Sequence, residues 1–255
     1  MTGADARRVA AARRWFRVQG HVPVERDGVT IVATPAHPNT WDANFVMAGP
    51  GVGAAAVLAA LERFDRWRVV QADALTEPGV EAALALAGFR AETLLIEMLA
   101  EQVAAPLPAP AIELERVGDA AWARLAALVE ADHREGKRTG DYDAAVAAGL
   151  LAGMRRRLGP CDYWLLTEGG VDLGYGMTAV CPNGLGLIEN LFTLPEHRGR
   201  GLMSAFIVEA ARRLRVAGCD GVFLDAHADD TPKLLYARLG FRPVAVARTW
   251  VKRVG

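Results

Sequence analysis

Arg198-Gly199-Arg200-Gly201 places two guanidinium groups and two glycines in four consecutive residues. Upstream, Leu187, Ile188, Leu191 and Phe192 read as an apolar strand that stops at Pro195. Downstream, Phe206, Ile207, Ala210, Ala211 and Leu214 recur with helical spacing, so that helix buries one face. A glycine loop between a strand and a helix N-terminus presents free backbone N–H groups and the positive end of the helix dipole, about half a charge. Such an arrangement holds phosphate. The two arginines add charge-assisted hydrogen bonds to the same oxygens. The strand feeding the loop carries Glu189, a carboxylate in an otherwise apolar run, and a buried carboxylate needs a partner or a task.

This stretch resembles the acyl-CoA-binding motif of the GNAT superfamily of N-acyltransferases. The family pattern is Arg or Gln, two residues, Gly, one residue, then Gly or Ala. Here it reads Arg198, Gly199, Arg200, Gly201, Leu202, Met203, with Met203 standing where the family carries a small residue. The resemblance implies that Arg198 to Met203 hold CoA phosphates. It also implies that the strand around Leu191, Phe192 and Thr193 splays from the one around Phe223–Ala226, leaving backbone groups for the pantetheine amides. Tyr236, four residues before Gly240, stands where GNAT enzymes carry the tyrosine taken as general acid. Phenol pKa is about 10 and a thiol's about 8.5, so full proton transfer to the thiolate is uphill by about 2 kcal/mol. Donating a hydrogen bond to the departing sulfur is the expected role, and a core tyrosine is the bland alternative.

For the acceptor amine's proton, Glu189 is the first candidate, with Asp225 and His227 in reserve. A carboxylate of pKa about 4.3 is poorly matched to an alkylammonium near 10, so a water relay or binding of the ammonium suits it better. A structural Glu189 paired with an arginine is the alternative.

The elements around these residues alternate. Before Pro106-Leu-Pro-Ala-Pro110 the chain reads as a helix over about Asp5–Val18, a hairpin at Asp27-Gly28, and strands and helices ending in a strand over Arg90–Met98. Three prolines in five residues fit neither a helix interior nor a central strand, so 106–110 reads as a linker. Beyond it the pattern predicts a strand over Ile112–Val117 and a helix from Asp119, capped by Asp119, to Ala131. A polar loop over Asp132–Gly140 and a helix over Tyr142–Leu158 come next. A hairpin around Glu168-Gly-Gly170 leads into the strand of Glu189. The closing pieces are a helix over Pro232–Leu239, with Thr231 or Asp229-Asp230 as cap, and a strand over Val244–Val251. This order matches the GNAT order over residues 111–255.

The halves also resemble each other. A shift of 152 residues lays Asp73-Ala74 on Asp225-Ala226 and Gly88-Phe89-Arg90 on Gly240-Phe241-Arg242. The first half lacks the working parts, since Gly49-Pro-Gly-Val-Gly53 carries no arginine and Leu84 occupies the position of Tyr236. The expected architecture is α/β, with tandem GNAT-like domains, each a mixed, mostly antiparallel sheet flanked by helices. A degenerate domain spans 1–105 and a catalytic domain 111–255.

Composition narrows the function. At 52% hydrophobic, 23% charged and net charge −1, the chain has no general basic field for nucleic acid. Arg155-Arg156-Arg157 ends a helix, where cations suit the negative dipole. No stretch approaches the ~20 apolar residues of a membrane span. Cys161, Cys181 and Cys219 show neither disulfide nor metal spacing, so a cytoplasmic protein without a metal is expected. The reading is an N-acetyltransferase moving an acetyl group from acetyl-CoA to a primary amine on a small molecule or peptide, with a homodimer left open. A non-catalytic acyl-CoA-binding or sensor protein is the alternative.

Overall fold

The strand Arg90–Ala100, which closes the first half of the chain, is hydrogen-bonded on both sides to strands from the second half. That exchange organises the molecule. The computed structural model describes residues 3–104, 110–135 and 143–254. The first half supplies α1 (Gly3–Val18), β1 (Val24–Arg26), β2 (Val29–Val32), β3 (Phe45–Ala48), α2 (Ala54–Leu61), β4 (Trp67–Ala72), α3 (Pro78–Leu86) and β5 (Arg90–Ala100). The second supplies β6 (Glu113–Arg116), α4 (Trp122–Glu135), α5 (Ala144–Arg156), β7 (Cys161–Glu168), β8 (Val171–Val180) and β9 (Leu185–Thr193). It ends with α6 (Leu202–Val216), β10 (Gly221–His227), α7 (Pro232–Arg238) and β11 (Arg242–Arg253).

All eleven strands form one sheet, in the order β1-β2-β3-β4-β11-β5-β10-β9-β8-β7-β6. The pairings are antiparallel except β3 with β4 and β9 with β10. The last strand of each half therefore lies against the other half's sheet: β11 on β4, and β5 on β10. Helices cover the sheet, giving a mixed, mostly antiparallel α/β architecture.

Close packing sets where α6 begins. Gly176 of β8 leaves room for the Phe206 ring, which a Cβ there would strike, and Gly186 of β9 admits Leu214, 2.7 Å from where its Cβ would stand. Phe206 is fully buried, worth about 1.5–3 kcal/mol of transfer free energy. These contacts lay α6 flat on β8 and β9 and fix its N-terminus beside the end of β9.

Helix α1 ties the halves together. Val9, Ala12 and Phe16 pack into the second half's core with Leu125, Tyr163 and Phe223. Arg14 turns the other way, grips both carboxylate oxygens of Asp73 at 2.7 Å and donates to the Ala48 carbonyl at 2.6 Å.

Several expected boundaries shift. Helix α4 starts at Trp122 rather than Asp119, whose carboxylate pairs with Arg155 instead of capping. It runs on to Glu135, because Asp132 is drawn inward to the Tyr175 hydroxyl rather than left in a polar loop. Strand β11 begins at Arg242 and carries Pro243 at a bulge, where a residue without an N–H is tolerated. At α7 the Thr231 side chain makes no cap bond; Asp230 Oδ1 accepts the Thr231 N–H at 2.7 Å. Trp41 stacks edge-on against Trp67 at 5.4 Å, and Trp122 lies under Arg155 at 4.8 Å. Arg156 and Arg157 donate to the Gly20 and Gln19 carbonyls, so the triple arginine docks the end of α1. Linker residues 106–109, loop residues 136–140 and Tyr142 lie outside the described residues.

Candidate active site

Strands β9 and β10 pair for only three residues, Leu185–Leu187 against Gly221–Phe223, and then part. Each is held on its far side, β9 by β8 and β10 by β5, so the separation is built into the sheet. Against β8, strand β9 slips register between Tyr175 and Met177, and Asn190 takes φ 55°. The fork opens into a cleft of about 1240 Å³. Glu189, Leu191, Phe192 and Thr193 line it from β9, His227 from β10 and Tyr236 from α7.

The glycine–arginine loop stands at the end of the fork. Gly199 and Gly201 have φ 75° and 77°, the left-handed region that favours glycine. Gly201 is the N-cap of α6, and among the described residues no side chain accepts from the first-turn N–H groups. Arg198 donates to both oxygens of Glu135, at 2.5 and 2.6 Å, and through Nε to the Thr193 carbonyl at 2.9 Å. Arg200 donates to both oxygens of Glu168, at 2.8 and 2.7 Å. These are exposed pairs, worth at most about 1 kcal/mol each, and an anionic ligand can replace them. Arg198, Gly199 and Met203 line the cleft, whereas Leu202 is buried in the core and holds the helix rather than the cleft.

Glu189 is not alone. Arg13 of α1, fully buried, pairs with Glu189 Oε2 and stands 2.6 Å from Asp225 Oδ2 and 3.6 Å from Glu97 Oε1. The contact with Asp225 is close but poorly angled for a hydrogen bond, and neither oxygen of Glu97 has a hydrogen-bond partner. Three carboxylates thus share one guanidinium. Burial pushes Glu97 up to about 7 against the pull of Arg13. Burial also raises Glu189, with Arg13 opposing and Asp225 adding to the rise. Asp225, the reserve candidate, belongs to this cluster, while His227 faces the cleft.

Tyr236 is buried at the cleft wall, and among the described residues its hydroxyl makes no hydrogen bond. Burial, with Asp225 and Asp230, raises its pKa, so the phenol stays protonated. Sequence reasoning missed three contributors. Arg13 hides in an arginine-rich amphipathic helix 176 residues from Glu189. Asp132 and Tyr175, joined at 2.7 Å across the cleft wall, come from a segment read as loop and from a strand of ordinary pattern. The inward-pointing tyrosine on β8 was the one available signal. Among the described residues no group of His, Cys, Asp and Glu could hold a metal ion, and no helix is long and apolar enough to cross a membrane.

Residues 159–243, spanning the fork, the loop and Tyr236, match a family model described as an acetyltransferase (GNAT) domain. Over those residues the chain is similar to a GNAT domain. Solved structures extend the likeness in fold over the whole chain. A GCN5-related N-acetyltransferase from Kribbella flavida shares 20% identity at TM-score 0.72, covering 97% of this chain and 95% of that one. A functionally unknown conserved protein from Staphylococcus epidermidis shares 13% identity at TM-score 0.68, covering 94% and 96%. A tandem GNAT protein from the clavulanic acid biosynthesis pathway shares 16% at TM-score 0.54, over 79% and 68%. No curated protein matches the chain. The GNAT fold supports acyl transfer.

Proposed function

We propose that this chain transfers an acetyl group from acetyl-CoA to a primary amine. The observation that carries the reading is the fork between β9 and β10, with Glu189 near its base, the glycine–arginine loop at its end and Tyr236 on its wall. The residues present fit an acyl-CoA. Its phosphates would take the uncapped N–H groups of α6 and the guanidiniums of Arg198 and Arg200, released from Glu135 and Glu168. Its pantetheine amides would lie along β9 at Leu191–Thr193, where among the described residues no strand pairs on the side of β10.

In the reaction a neutral amine attacks the thioester carbonyl carbon, the C–N bond forms, the C–S bond breaks and the nitrogen loses a proton. Tyr236 stays protonated and donates a hydrogen bond to the departing sulfur. Glu189, 25% exposed at its side chain, is the cluster's opening to the cleft. Its raised proton affinity narrows the gap to an alkylammonium near 10. We take residues 111–255 as the catalytic half, 1–105 as a half that holds no CoA, and 106–110 as the linker. The protein is read as cytoplasmic, acting on a small-molecule or peptide amine.

Free CoA release with a panel of amines tests the reading. The value of kcat/KM should climb from pH 6 towards 9 as the neutral amine fraction grows. Glu189→Gln should lower kcat most at neutral pH if Glu189 relays the proton, and raise KM for the amine if it holds the ammonium. A chain that binds CoA but releases none with any amine is an acyl-CoA-binding module instead.

A further inference from the structure

The carboxylates lining the cleft are largely engaged by the protein itself. Glu189 is taken by Arg13 and Glu135 by Arg198; Asp132 accepts from the Tyr175 hydroxyl, and Asp230 accepts the Thr231 N–H. Asp42 is the acidic residue that remains. The arginines are arranged differently. Arg17 of α1 and Arg157, just past α5, both line the cleft, and among the described residues neither has a carboxylate within ion-pair distance. Both lie near Glu189: burial raises its proton affinity, and Arg13, Arg17 and Arg157 pull it down. Arg157 is held in place, donating through Nε to the Gln19 carbonyl at 3.2 Å and stacking over Phe16 at 4.9 Å.

Two guanidiniums without acidic partners, set beside the group that faces the incoming amine, make a receptor for an oxyanion. We infer that the acceptor carries a carboxylate or phosphate in the same molecule as its primary amine, and that Arg17 and Arg157 receive that group. This rests on the acyltransferase reading above. The arginine fork matches both oxyanions, whereas an acceptor of several positive charges and no anion would meet two like charges at the point of reaction. An amino acid, a short peptide or an amine phosphate satisfies the cleft; a polyamine or aminoglycoside does not.

The test uses the full chain, acetyl-CoA and matched amines that differ only in the anion: tyrosine against tyramine, ornithine against putrescine, phosphoethanolamine against ethanolamine. The anion-bearing member of at least one pair should show kcat/KM higher by about 10- to 100-fold, the scale of a charged hydrogen bond. The first two pairs report a carboxylate and the third a phosphate. Arg17→Gln should remove that preference chiefly through KM, and Arg17→Glu should turn it towards the amine without the anion. Circular dichroism of each variant separates this from misfolding, and Arg157→Lys, which keeps the charge, should lower the preference less than Arg17→Gln. Release with the anion-free members alone, or a preference untouched by Arg17→Gln in a folded variant, overturns the inference and leaves acyl transfer standing. No release with any amine, including spermidine and kanamycin, overturns both.

Discussion

Strands β5 and β11 begin at Arg90 and Arg242, 152 residues apart, and lie side by side in opposite directions at the centre of the sheet. The helices before them end alike. Phe89 N–H donates to the Leu84 carbonyl and Phe241 N–H to the Tyr236 carbonyl, both at 3.0 Å, around Gly88 and Gly240 at φ 81° and 95°. Even the arginines match: Asp73 is held by Arg14 and Asp225 by its neighbour Arg13. The difference lies in the loops. Gly51 of the first half donates its N–H to Glu77, a carboxylate where an anion would bind, and the eight-residue α2 that follows has no arginine before it. In the second half the corresponding loop carries two arginines ahead of the fifteen-residue α6. The backbone plan survives in both halves, and the loops differ in the charged side chains they carry. The first half keeps a use, because it lends the second a strand and Arg13.

The largest expected effect breaks that partnership outright. Residues 111–255 alone would expose β10 where β5 belongs and leave β11 with neither neighbour; residues 1–105 alone would leave β5 with none. Unpaired central strands cost too much for either piece, so each fragment should be unfolded by circular dichroism, and mixing them should restore the fold. A stably folded 111–255 fragment with CoA affinity intact would show that the halves are only neighbours.

Next comes the pair Tyr236 and Leu84. Tyr236→Phe should lower kcat by about 10²–10⁴ with little change in acetyl-CoA affinity, the range for loss of a positioned acid. Leu84→Met, the matching site in the first half, should cost less than about 1.5 kcal/mol of stability and leave kcat alone. Equal turnover in Tyr236→Phe and wild type would make Tyr236 as structural as Leu84.

The arginines of α1 sharpen the comparison further. Arg13→Met leaves Glu189 and Asp225 without their cation and should cost about 3–5 kcal/mol in chemical denaturation. Since Arg13 lowers the proton affinity of Glu189, its loss should move the acid limb of kcat/KM to higher pH. Arg14→Met should destabilise less, as Arg14 and Asp73 keep some contact with water, and should leave that limb in place. Identical pH profiles would put Arg13 in a purely structural role.

The smallest effect is on pH and stability. Glu97, held up to about 7, binds its proton more tightly folded than unfolded, so its contribution is present below about pH 4.5 and lost as pH rises through about 7. Glu97→Gln should therefore flatten the fall in Tm between pH 5 and 8, gaining up to about 3 kcal/mol at pH 8 relative to wild type. A wild-type Tm that holds steady across that range would place Glu97 in its charged form throughout.

What the sequence determined by itself was local. The glycine–arginine loop, the helix after it and the stops at Gly88-Phe89 and Gly240-Phe241 are set by neighbours within a few residues, and they stand where the spacing put them. The repeat was legible because identical turns need the same residues. Side-chain demands from elsewhere in the chain were invisible. Asp132 continues a helix because Tyr175 awaits it, and Asp119 leaves its cap for Arg155. The strand exchange was equally hidden, since nothing in the residues of β5 or β11 states which strand each will pair with. Only the folded sheet decides that choice, by setting α1 across both halves so that Arg13 meets Glu189, Asp225 and Glu97 from three different strands. A charge buried among distant carboxylates is a property of three-dimensional proximity, and no spacing along one chain encodes it.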